Sequence, residues 1–402
     1  MLQDMIGLPD HADDPGPEFD RILGLDSRFD VARRRLPELC AIASDGLKRM
    51  ALPGLQFPQT MRGIGDKNGG GTAPEGSSLR YAIIVAMGLA WTFQSMQRHV
   101  LGERTAIDLV NATVERAARS REPGAVALAA WAAAEIAGVY AGNLFQQLED
   151  YLESGEVETV PVAWALTAAL AAGELGPSEK VEWLAARMLL DAQGPGGLFA
   201  HTMPARAAGF ARGHVGCFAD QVYPIQALAR LGFANRNAAA LNAAEACAAR
   251  IVALQGPAGQ WWWHYDAREG SVVEGYPVYS VHQHAMAPMA LLDLHDAGGT
   301  DHRDAIMKGL DWIDHHPETA EPIASPEDAM IWRKVGRREP RKLVRALSAL
   351  TTAAVTGWHL PYLDAAFPPG PVDRECRPYE FGWMLYAWRS RGVVQALRSQ
   401  AR

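Results

Sequence analysis

The sequence predicts an all-α fold: an (α/α)6 toroid, a ring of six antiparallel helical hairpins. Three observations predict it. First, six segments with few charges are apolar on every side, at residues 78–91, 124–135, 160–172, 218–231, 281–294 and 379–388. Second, helices with a single apolar stripe run between them, among them 105–119, 179–192 and 238–254. A helix that is apolar all round is buried on all sides, whereas a one-stripe helix faces water, so the alternation describes an inner and an outer layer. Third, one turn occurs twice. Gln193, Gly197 and Phe199 give Q-x-x-x-G-x-F, and Gln255, Gly259 and Trp261 give Q-x-x-x-G-x-W. Each copy ends a helix and leads through a glycine-bearing connection into a polar-headed buried helix, which is the signature of internal repetition.

In chain order, residues 1–25 are rich in Asp, Pro and Gly and are expected to pack loosely. Residues 28–50 form a first amphipathic helix. Residues 53–77 contain GIGDKNGGGTAPEGSS, in which Lys67 precedes the glycines and no G-K-[ST] closes them. That order makes a flexible loop, placed to act as a lid, and not a phosphate cradle. Alanine- and leucine-rich helices, favoured by intrinsic propensity, fill the chain from Ser77 onward. Short gaps between them suit antiparallel neighbours. The stretch from about 295 to 377 is longer and elaborated, with helices at 304–315 and 340–355 around a proline- and acid-rich loop. Strand signals are scarce, and residues 26–402 are expected to form a single toroid domain.

Composition removes several classes. The 402 residues carry a net charge of −8 and no basic stripe, which argues against a nucleic-acid or anionic-membrane surface. Cys40, Cys217, Cys247 and Cys376 are far apart, with neither disulfide-scaffold nor structural-zinc spacing. The acidic N-terminus has no apolar signal region, and the apolar runs are interrupted, so no spanning helix is expected and a cytoplasmic setting is the default. The subunit number is left open.

The Q-x-x-x-G-x-W/F turns resemble the QW repeats of squalene–hopene-type terpenoid cyclases. The helical pattern from about 77 to 402 is similar to the wider α/α-toroid group, which includes protein prenyltransferases and six-hairpin carbohydrate-active enzymes. The resemblance implies a toroid whose functional side chains gather where the inner helices begin; it implies little about the reaction.

Candidate residues therefore lie at those helix starts. EGSSLRY offers Glu75, Arg80 and Tyr81, and CFADQVYP offers Asp220 and Tyr223 beside Gln221. The stretch YPVYSVHQHAM offers Tyr279, His282 and His284; the histidines stand two apart, so on a helix they cannot chelate one ion as an i, i+4 pair does. The preceding WWWHYD gives Trp261, Trp263, His264, Tyr265 and Asp266, with tryptophan faces for a sugar ring or a carbocation. DRECRPYEFGW supplies Arg377, Tyr379 and Glu380, and MIWRK supplies Trp332 and Arg333. Each has a plainer reading: a helix cap, a satisfied core polar group or an internal ion pair.

The D-x-D-D and D-D-x-x-D motifs of terpenoid cyclases are absent. Cys217, Asp220, His282 and His284 hold suitable zinc-binding atoms at undiagnostic spacing, and no metal or other cofactor is expected. Arginines, carboxylates, histidines and aromatic rings together suit a polyhydroxylated, anionic small molecule or oligosaccharide. The leading expectation is a carbohydrate-active hydrolase, lyase or epimerase acting on an oligosaccharide or uronate in a central cleft by general acid/base chemistry. Asp220 and Glu380 are its paired carboxylates, His282 its proton carrier, and Arg80 and Arg377 its anion holders. The alternatives are a terpenoid cyclase or prenyl-processing enzyme with an atypical acid, Asp220 or Asp266, and a non-catalytic toroid that binds a saccharide or protein.

Overall fold

The computed structural model describes residues 21–64, 71–340 and 342–390. Its helices are α1 (Asp30–Met50), α2 (Leu79–Leu89), α3 (Gln94–Leu101), α4 (Ala106–Ala117), α5 (Pro123–Glu135), α6 (Gly142–Glu153), α7 (Thr159–Ala172) and α8 (Glu179–Ala192). They continue with α9 (Ala219–Ala234), α10 (Ala238–Ala253), α11 (Ala287–Asp296), α12 (Arg303–Asp311), α13 (Leu343–Ala354), α14 (Leu363–Ala366) and α15 (Pro378–Arg389).

Six of these make the inner ring: α2, α5, α7, α9, α11 and α15. Each packs on the next, and α15 returns to α2. Along α5 and α7, every residue from Gly124 to Ala134 and from Pro161 to Leu170 is buried. By contrast α4 buries Ala106, Leu109, Val110, Thr113 and Ala117, a single stripe. The outer layer is α1, α4, α6, α8, α10 and α12, and the fold is the expected toroid. The ring closes through two glycines. A Cβ on Gly88 of α2 would overlap the Gly382 carbonyl of α15, and one on Gly382 would lie 2.7 Å from the Ile84 carbonyl. Only backbones without side chains approach this closely.

The two glutamine turns are built alike. Gln193 donates to the Gly197 carbonyl at 2.9 Å and the Ala243 carbonyl of α10 at 2.8 Å. Gln255 donates to the Gly259 carbonyl at 3.0 Å and the Ala305 carbonyl of α12 at 2.9 Å. Gly197 and Gly259 both take positive φ, 78° and 97°. Each amide thus ties a turn to the next outer helix, and the aromatic that follows, Phe199 or Trp261, enters the core.

Strands are short but more numerous than the sequence signals. Thr72–Glu75, Val157–Glu158, Val215–Cys217, Val278–Tyr279 and Glu375–Cys376 each end just before an inner helix begins. Two-residue segments carry no readable alternation, which is why they escape a period-based reading. The segment 53–77 is accordingly not one loose loop: Thr60–Gly63 pairs with Thr72–Glu75 and with Glu375–Cys376. Lys67 lies outside the described residues. Of the N-terminal segment 1–25, residues 1–20 also lie outside them. Residues 21–25 are packed, since Ile22 and Leu25 are buried and Arg21 bonds Asp293 and Asp296, both at 2.6 Å. Among the described residues no helix is long and apolar enough to cross a membrane.

Candidate functional site at the mouth of the helical ring

The inner helices begin on one side of the ring, and their first turns line a common mouth. Its floor is aromatic. Tyr223 of α9 sits 4.9 Å from the Trp164 ring of α7 and 6.1 Å from Trp383 of α15. Burial raises the pKa of the Tyr223 phenol, and the same hydroxyl feels Cys217, Arg80 and Tyr81, so opposite walls face one another across it.

The first wall joins α2 to α15. Ser78 caps α2 and accepts from the Tyr81 amide. The Tyr81 ring lies 4.7 Å from that of Tyr379, and its hydroxyl accepts from Arg377 Nη1 at 2.9 Å and Gln59 at 3.1 Å. Arg80 pairs at 3.4 Å with Glu122, the residue that caps α5; both are about half exposed.

The second wall follows the ladder toward α11. Arg333 is its centre. Its Nε donates to Glu380 Oε1 at 3.2 Å, its Nη1 lies 3.6 Å from Glu375, and its guanidinium rests 4.7 Å over Tyr279. Glu380 accepts from the Arg377 amide, closing the first turn of α15. It is wholly buried. Burial lifts its carboxyl to about 7, against the opposing pull of Arg333 and Arg377. Arg333 itself stays cationic, held up by Tyr379, Glu380, Tyr279 and Glu375 against the cost of burial. Beside it, Trp263 stacks on His282 (5.9 Å, 10°) and tilts onto Tyr279 (4.6 Å).

The third wall is built around Asp220. Its side chain is fully buried, and one oxygen accepts from the Cys217 amide at 2.7 Å. His201, 47% exposed, holds Nδ1 at 3.2 Å from both carboxylate oxygens. That contact raises the pKa of the imidazole. Gln221, the neighbour of Asp220, is a clamp: it bonds the Phe199 amide and carbonyl and the Cys217 carbonyl.

The structure thus gathers Arg80, Tyr81, Asp220, Tyr223, Trp263, Tyr279, Arg333, Arg377, Tyr379 and Glu380. Other candidates lie elsewhere. Glu75 is exposed on the hairpin and pairs with Arg62 at 2.7 Å. Trp261 is buried against Phe218, 5.8 Å away, toward the outer layer. Tyr265 is buried in the core, and Asp266 is held by Arg268 at 2.7 Å with His214 at 3.9 Å. Trp332 is buried beneath Arg374.

The histidines divide three ways. His282 is buried between Phe218 and Trp263, and burial drives its pKa down to about 3, so it is a neutral wall and no ready proton carrier. His264, beside Trp263, is lowered to about 3 for the same reason, with Arg212 and Arg345 adding to it. His284 is fully buried, lowered to about 3, and neither ring nitrogen has a hydrogen-bond partner. Local sequence explains its setting. Pro288 lacks the amide that would bond the His284 carbonyl, the backbone takes a π turn over His282–Met286, and that carbonyl accepts from Trp388 Nε1 at 2.7 Å instead. The zinc-capable atoms of Cys217 and Asp220 are therefore joined by His201, and not by His282 or His284.

His201 was not among the expected residues, yet a signal existed. It stands two positions after Phe199 in the first glutamine turn, as Trp263 stands two after Trp261 in the second. Both positions reach the mouth. A separate cleft of the outer layer, between residues 51–57 and α4, holds none of these side chains.

Comparison with solved structures finds the same architecture. An unsaturated glucuronyl hydrolase specific for heparin superposes with a TM-score of 0.53 at 11% identity, covering 93% of this chain and 98% of that one. The unsaturated glucuronyl hydrolase of Bacillus sp. GL1, named as responsible for glycosaminoglycan degradation, gives 0.51 at 11% over 87% and 94%. A possible GH105 member from Klebsiella pneumoniae gives 0.51 at 12% over 94% and 96%. What is shared is the fold. No protein-family model matches the chain, and no curated protein matches it in sequence. At such identity the toroid is common to all three, while the chemistry has to be argued from this chain's own side chains.

Proposed function

We propose that the chain is a carbohydrate-active enzyme of the hydrolase, lyase or epimerase kind, acting by general acid/base catalysis on an oligosaccharide that bears a uronate. The carrying observation is the pairing of Arg333 and Arg377 with the rings of Tyr279, Tyr81, Tyr379 and Trp263 in one mouth. Aromatic faces receive sugar rings, and guanidinium groups recognise a carboxylate through paired N–H donors. The fold is shared with structures named as glucuronyl hydrolases, which supports the same substrate class.

Arg333 covers Glu380. Burial lifts this carboxyl to about 7 even with Arg333 pulling it down, so a uronate carboxylate that draws Arg333 away uncovers a group that holds its proton more firmly, as a general acid at neutral pH must. Asp220, oriented by the Cys217 amide and fronted by His201, is the second carboxylate and the proton-accepting side. Arg80 and Glu122 mark the rim.

A second reading, an isoprenoid-processing enzyme, is favoured by the aromatic floor of Trp164, Tyr223 and Trp383. Arginines and carboxylates at the same mouth, Asp220, Glu375 and Glu380 among them, weigh against a carbocation, which nucleophilic neighbours would quench. The test is to incubate the purified chain separately with uronate-containing oligosaccharides and with isoprenyl diphosphates, and to follow products by mass spectrometry. Cleaved, unsaturated or epimerised saccharide is the expected result; turnover of the diphosphate alone would replace this reading with the second.

A further inference from the structure

We propose that His201, Cys217 and Asp220 form a zinc site at the mouth, with His201 Nδ1, Cys217 Sγ and an Asp220 oxygen as ligands and the fourth position open. The three ligand atoms lie within 4.8 Å of one another. Around tetrahedral zinc, with bonds of 2.0–2.3 Å, ligand atoms stand roughly 3.4 Å apart, so the widest separation closes by up to about 1.4 Å when the ion binds. The donor set is one nitrogen, one sulfur and one oxygen. That mixture fits a borderline-soft ion and excludes magnesium and calcium, which take oxygen shells.

One neighbour points to an ion and not merely to a His–Asp pair, and it is His264. It stands directly across the ladder from Cys217, so both side chains leave the same face of the sheet. It is buried, and its Nδ1 has no hydrogen-bond partner. A water on the open position would give that nitrogen one.

The backbone holds the three ligands in place before any ion arrives. The His201 amide donates to the Val215 carbonyl at 3.0 Å, Gln221 fixes Phe199 and Cys217, and the Cys217 amide orients the carboxylate. Ligands on rigid, hydrogen-bonded elements cost little to organise. The inference does not depend on the saccharide reading, but it revises one role in it: with zinc bound, Asp220 is a ligand and no longer the proton acceptor, and Glu380 keeps its role as proton donor.

The experiment uses the full chain without saccharide, stripped with a chelator, dialysed, and titrated with zinc or cobalt(II). Bound metal is counted by mass spectrometry after gel filtration. One zinc per chain is expected, and the cobalt form should show a thiolate-to-metal charge-transfer band. Cys217→Ser should abolish that band and weaken zinc binding at least tenfold, while Cys247→Ser keeps both. Circular dichroism confirms that each variant is folded, and the cobalt spectrum of the unaltered protein stands even if one is not. Metal-free protein after gel filtration, or cobalt bound with no sulfur band, overturns the site. Neither result touches the saccharide reading, whose test is product formation.

Discussion

Glu380 is the residue on which the proposed chemistry turns. A carboxyl group lifted from 4.5 to about 7 keeps its proton through the acid range and loses it as pH rises past neutrality. If it is the general acid, kcat/KM falls on the alkaline side with an apparent pKa near 7. Glu380→Gln keeps an acceptor for Arg333 or for the Arg377 amide but has no proton to give. Turnover should drop about 10²- to 10⁴-fold with the melting curve little moved. A variant as active as the parent would remove Glu380 from the chemistry. His284 is the opposite case, a fully buried ring whose two nitrogens have no hydrogen-bond partner. Its pKa is lowered from 6.5 to about 3, so the unfolded chain takes up a proton below about 6.5 that the folded chain refuses. Stability is therefore intact above pH 6.5 and falls as pH drops toward 3, by about 1.4 kcal/mol per unit for this one group. His284→Leu should be neutral or stabilising at pH 7 and should flatten the acid limb in urea melts at pH 7 and 5. At this scale the sequence showed which residue types stand at helix starts, because first turns are local. It did not show facing: Trp261 and Trp263 are two apart and part company, one to the core and one to the mouth.

At the scale of elements, the inner helices were readable because burial on all sides leaves few charges, and the composition of α5 or α7 says so without any neighbour. The short strands were not readable, since their pairing is long-range, as between Met61 and Cys376. The close approach of α2 to α15 is likewise written only in two glycines. Gly88→Ala adds helix propensity worth about 1 kcal/mol, but its methyl group meets the backbone of α15 at Gly382, which cannot swing aside. Overpacking of this kind costs about 1–3 kcal/mol, so the net change should be destabilising, read as a lower urea midpoint. Gly173, at the end of α7, is the control. It is exposed, its φ is −48°, and an added Cβ meets only the Leu170 carbonyl at 3.8 Å. Gly173→Ala should raise the midpoint slightly. Equal effects at both positions would mean that the α2–α15 closure has slack.

The whole ring is tied across its centre by charge as well as by apolar packing. Arg230 of α9 is 1% exposed and bonds Asp293 of α11 (2.7 Å), Glu135 of α5 (3.3 Å) and the Tyr386 hydroxyl of α15 (2.9 Å). It also lies 5.1 Å over the Trp131 ring. Tyr386 and Trp131 each donate to Glu135 at 2.6 Å, and Gln226 donates to Asp293 at 2.9 Å. Four of the six inner helices thus meet in one buried network, with Arg21 reaching Asp293 from outside the ring. No sequence pattern announces this, because the bonding partners of Arg230 stand 63 to 156 positions from it. A buried ion pair is weak evidence of net stability, but breaking one strands the partner charge. Arg230→Met leaves Glu135 and Asp293 buried without their shared cation and should cost about 3–5 kcal/mol. Adding Glu135→Gln removes one stranded charge, so the double variant should be more stable than the single one, a non-additive result. Urea melts of the three proteins decide it. If the two changes simply add, the guanidinium is a local pair with Asp293, and the helices are held together by packing alone.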